Sequence, residues 1–160
     1  MKVKILRTII ALFILASIMA CPAPNLNTES GKELSSNFGK VYAVLSVSQD
    51  FYEQSKSAIK EGAQEGLIAE KHKDRITTAA KHYKETHNAA VKAVNNWYDA
   101  VENDEEYDVR FVVELLYDVS DKGRLLSQVV TSVSDGKVQL PSELIPTVTE
   151  IALAIYEVKE

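Results

Sequence analysis

Residues 76–101 read ITTAAKHYKETHNAAVKAVNNWYDAV. Ile76, Ala80, Tyr83, His87, Ala90, Val94, Trp97 and Val101 advance through that stretch by fours and threes, which sets them on one stripe of an α-helix. The spacing predicts a long amphipathic helix that starts near Leu67 to Ala69. Upstream, Leu34, Phe38, Val41, Leu45, Ser48, Tyr52, Ser55 and Ile59 keep the same rhythm, behind a Ser30–Glu33 pair that fits a capping box. Gly62 and Gly66 mark its expected break. Downstream, Val109, Val112, Leu116, Val119, Gly123, Leu126, Val130 and Val133 form a third stripe. Its β-branched content suits strands, but strict alternation fails, so helix is expected. Asn103 with Glu106 is the expected cap before it.

Gly136 stands where a helix stop belongs, and a shorter fourth stripe follows: Leu144, Val148, Ile151, Ile155 and Val158, with regular helix expected from about Pro146. Four amphipathic helices joined by short turns bury their stripes most simply together. The expected fold of residues 31–160 is all-α, an antiparallel four-helix bundle in up-down-up-down order. A short last helix would cover only part of the groove made by the other three.

The first twenty-one residues follow a different logic. Lys2, Lys4 and Arg7 precede an apolar run from Ile9 to Ala20, the layout of a secretory signal peptide. Twelve apolar residues in a helix reach roughly 18 Å, short of the roughly 30 Å that a spanning helix must cross. Ile18-Met19-Ala20-Cys21 resembles the lipobox of bacterial lipoproteins. That resemblance implies cleavage before Cys21, a diacylglycerol on its thiol, and usually acylation of the new amino group by palmitate or a similar chain. Residues 1–20 would then be a cleaved signal peptide, and 21–30 an acylated cysteine and tether. The protein would be exported and held in a bacterial cell envelope by lipid. The residue after the cysteine is Pro22 rather than the aspartate of inner-membrane retention, and both membranes stay open.

The chain carries a net charge of −5, and loss of residues 1–20 removes three bases and no acid, leaving −8. Nucleic acid and anionic lipid both select basic patches, and the bases Lys71, Lys73 and Arg75 alternate with Glu70 and Asp74. Nucleic-acid binding is therefore not expected.

Catalytic and metal chemistry find little purchase. No Glu-x-x-His pair occurs, and His82 and His87 lie about 140° apart around a helix, so no metal site is expected. Ser57 and Lys60 match a Ser-x-x-Lys spacing without a companion motif, and no serine sits in a Gly-x-Ser-x-Gly turn. His87 is the one histidine on an apolar stripe, expected as a core-edge histidine bonded to a hydroxyl or a backbone carbonyl; as a ligand or acid–base group it would need Ser48 or Ser55 of the first helix as its polar partner. Trp97, Tyr98, Tyr107 and Phe111 bracket the turn after the second helix, as a core plug or a recognition patch. Outside the main stripes, Val44, Val47, Phe51, Phe111, Leu115, Leu125 and Val129 widen the apolar arcs of the first and third helices. Phe111 and Leu115 are the candidate partner surface. The expected function is a non-enzymatic interaction or structural module without cofactors, binding an envelope protein or a second copy. The rival is a carrier of a small apolar ligand in a cavity lined by Ser48, Ser55, Ala80, Ala90 and Gly123.

Overall fold

The computed structural model describes residues 29–158, with side chains from Phe38 to Tyr156. The expected signal peptide, Cys21 and most of the tether lie outside the described residues, as do the side chains of the Ser30–Glu33 box. Four helices pack together: α1 (Glu29–Gln64), α2 (Lys73–Glu102), α3 (Val109–Val133) and α4 (Val148–Val158). No strand occurs among the described residues. The β-branched third stripe is helical throughout. Each helix has two principal neighbours, α1 touching α2 and α4, and α3 touching α2 and α4.

Most of each stripe becomes core, although Val148 of the fourth is 54% exposed at the start of α4. Phe38, Val41, Leu45, Ser48, Ser55 and Ile59 of α1 are buried, and α3 buries Val112, Leu116, Val119, Gly123, Leu126 and Val130. Each such Leu, Val or Phe contributes roughly 1.5–3 kcal/mol by leaving water. Along the α1–α2 seam, Phe38 meets Trp97, Tyr42 meets Asn95, Leu45 meets His87, and Ser48 meets Tyr83. Later residues of α1 thus face earlier residues of α2.

The ends depart from the sequence expectations in instructive ways. Gly66, not Gly62, terminates α1: it takes a left-handed φ of +77°, and Leu67 N–H donates back to Gly62 O at 2.8 Å. Gly62 lies inside α1, where an added Cβ would come within 2.5 Å of Val138 Cγ2. Its job is close packing. The second helix begins at Lys73, later than expected, because Ile68 turns inward to the core and a 3-10 turn at Glu70–His72 intervenes. Asn103 closes α2 instead of opening α3, its side chain donating to Asp99 O at 2.7 Å. Asp108 is the cap of α3, accepting from Arg110 N–H at 3.1 Å.

After α3, the connection from Ser134 to Thr147 is itself core material. Val138, Leu140 and Ile145 are buried, and Ser120 Oγ donates to Pro146 O at 2.7 Å. With eleven residues, α4 is about 16 Å long. This connection covers apolar surface that the short helix does not reach. Thr147 and Glu150 form a capping box at the start of α4.

Candidate functional site

The polar groups singled out on α1 and α2 meet in one buried seam. Tyr83 is 1% exposed and donates through its hydroxyl to Ser48 O at 2.7 Å. One turn along α2, His87 is 6% exposed, with Nε2 at 3.1 Å from Leu45 O. A carbonyl only accepts, so Nε2 carries the proton in this arrangement. The two rings stack at 6.4 Å between centroids. Ser48 Oγ donates to Val44 O within its own helix at 2.8 Å.

His87 therefore pairs with the Leu45 carbonyl, and neither Ser48 nor Ser55 serves as its partner. A Ser–His nucleophile needs the hydroxyl to donate to the imidazole, whereas this hydroxyl is committed to backbone and this imidazole to another carbonyl. Burial holds the His87 pKa below its ordinary value, with bonds to Leu45 O and Asn88 opposing that shift. Burial likewise pushes the Tyr83 phenol upward, and Tyr42, bonded to Asn95 at 3.1 Å, is raised to about 12. These groups stay neutral and tie α1 to α2. The hydroxyl of Ser55 is different, being buried without a hydrogen-bond partner.

The small residues assigned to a carrier cavity are mostly buried. Ser48, Ser55, Ala90 and Gly123 are buried and Ala80 is half-buried. The space beside Gly123 is taken by Tyr83 Cε2, 3.2 Å from where a Cβ would stand, and by Ile145 Cγ2 at 3.3 Å. Among the described residues, no three His, Cys, Asp or Glu side chains gather to hold a metal.

The aromatic group near the α2–α3 turn divides. Trp97 is buried and meets Phe38 edge-on at 4.7 Å, while Tyr98 and Tyr107 pack half-buried against the core. Phe111 stays outside, 54% exposed. Leu115, its companion in the candidate surface, is half-buried and packs against the core. The wider arcs divide too. Phe51 and Val129 are core, Val44 is half-buried, and Val47 and Leu125 are exposed. Val101, expected on the buried stripe of α2, is 46% exposed. It sits in the last turn of α2, past the core-filling Trp97.

No helix among the described residues is long and apolar enough to cross a membrane. Compared with known protein families, characterised proteins and solved structures, the chain matches none.

Proposed function

We propose that this chain is a small lipoprotein of a bacterial cell envelope, exported and anchored by lipid on Cys21, whose bundle serves as a non-enzymatic interaction or structural module. The observation that carries the reading is the sequence Ile18-Met19-Ala20-Cys21 behind a basic and then apolar leader. The helices run up-down-up-down in this proposal. Support comes from the α1–α2 seam, where residues 38, 42, 45 and 48 meet 97, 95, 87 and 83 in turn, and from the short turn between α2 and α3. The bundle holds Phe111 out in solvent beside a buried apolar core, which suits a partner-binding surface better than an active site.

The carrier remains the second reading, and the unpartnered hydroxyl of Ser55 is what favours it. The packing around Gly123 weighs against it.

The anchor is tested by feeding cells a clickable palmitate analogue. The native chain is expected to take up the label and to partition into detergent, and Cys21→Ser to do neither. A serine variant that is still processed and still labelled would defeat the lipid reading.

A further inference from the structure

The net charge of residues 21–160 is accounted for by one stretch. Residues 99–121 hold nine acids and a single base, Arg110, a net −8 that equals the charge of residues 21–160 as a whole; everything outside that stretch balances. All nine acidic side chains are exposed. Arg110 is engaged by Asp108 at 2.9 Å and Asp121 by Arg124 at 3.2 Å. The ion pairs among the described residues leave out Asp99, Glu102, Asp104, Glu105, Glu106, Glu114 and Asp118. Helix capping does not account for them, because Asp108 alone caps α3.

Within this acidic field stand Val101 and Phe111, flanking the same turn and each about half exposed. An exposed aromatic side chain is a good interface anchor once a partner removes it from water. The surrounding charge then selects what that partner can be. Anionic lipid and nucleic acid bring more negative charge to the face, and so does the same face of a second copy. A helix with apolar residues on one side and Lys or Arg along its flanks satisfies both features at once, with charge setting the encounter rate and register.

We propose that the turn between α2 and α3, centred on Val101 and Phe111, is the docking face for a basic amphipathic helix of a partner protein. This deepens the interaction-module reading and rests on it. The test places photo-crosslinking benzoylphenylalanine at position 111 of the full chain, in cells that make it, with clickable palmitate in the same culture. Exposed Thr78 on α2 is the control position. The expected crosslink from position 111 joins a partner peptide rich in Lys and Arg, is absent from position 78, and falls by about tenfold or more when Glu105→Lys and Glu106→Lys are combined. Unchanged circular dichroism and melting temperature would show that the charge reversal leaves the fold intact. If reversal unfolds the chain, Glu105→Gln with Glu106→Gln takes its place, and the crosslink is still expected to weaken. Crosslinks to lipid, to a second copy or to an acidic or neutral segment, or no crosslink from position 111, would overturn the docking face. Missing palmitate label beside a basic crosslinked peptide would overturn only the anchor.

Discussion

Gly123 shows how much one missing Cβ can demand. An alanine there would bring its Cβ to 3.2 Å from Tyr83 and 3.3 Å from Ile145, so even one methyl group forces its neighbours to shift. Gly123→Leu is expected to destabilise by about 1–3 kcal/mol through overpacking, read as a lower urea midpoint. An unchanged midpoint would mean the side chain escapes the α2–α3 seam. His87 makes a different demand, on pH. Its folded pKa is lowered, chiefly by burial, so below about pH 6.5 the unfolded chain binds a proton that the folded chain refuses. Stability contributed by neutral His87 is complete above that value and declines as pH falls through it. His87→Gln keeps an amide donor for Leu45 O and removes the titration. Its loss of stability between about pH 7.5 and about pH 5.5 is expected to be smaller than that of the native chain, and an equal loss would assign the acid sensitivity elsewhere.

At the level of elements, the interiors of the helices and the glycine stops at Gly66 and Gly136 were legible in the sequence, and the caps around the α2–α3 turn were not. A stripe integrates many residues, so Val112, Leu116, Val119 and Leu126 outvote the strand preference of their own β-branched neighbours. An end rests on one or two hydrogen bonds, and acids crowd the α2–α3 turn. Asn103, Asp104 and Asp108 each have the chemistry of a cap, and only coordinates show Asn103 closing α2, Asp104 in the left-handed region at φ 58°, and Asp108 opening α3. The Thr147-x-x-Glu150 box was readable but hidden behind Pro146. Both the Thr147 N–H and its hydroxyl donate to Glu150, at 2.7 and 2.8 Å, and hold that carboxyl below the usual range. The benefit is present above ordinary carboxylate pH and is lost as pH falls through the lowered pKa. Thr147→Ala is expected to cost about 0.5–2 kcal/mol, with faster amide exchange concentrated in α4. Exchange that quickens evenly over all four helices would show instead that α4 does not open on its own. The candidate partner surface was half legible. Sequence spacing cannot tell which side of a wide apolar arc a neighbour covers, so Phe111 and Leu115 looked alike until packing separated them.

For the molecule as a whole, the start of α1 and the acidic turn share an end. Only seven residues lie between Cys21 and Glu29, where α1 begins, a reach of at most about 30 Å. Phe38, early in α1, packs on Trp97, late in α2, so the α2–α3 turn lies at the end of the bundle nearest the proposed anchor. The opposite end, at Glu65 and Gly66, stands farther off, since α1 spans about 54 Å. With the proposed anchor in place, a turn of net −8 would be repelled by anionic headgroups, which would keep Phe111 in solution instead of buried in lipid and turn it toward a basic segment emerging from the same membrane. Because acylation would occupy the chain's one native cysteine, a second cysteine would be the only reactive thiol. Dye placed through Asp104→Cys should transfer energy to a membrane-surface acceptor more efficiently than dye placed through Glu65→Cys. Raising salt should bring the first site closer still, as screening weakens the repulsion. Equal transfer from the two sites would mean that the bundle lies flat or tumbles freely on its tether. Stronger transfer from Glu65→Cys would invert the orientation and remove the acidic turn from the membrane-proximal position.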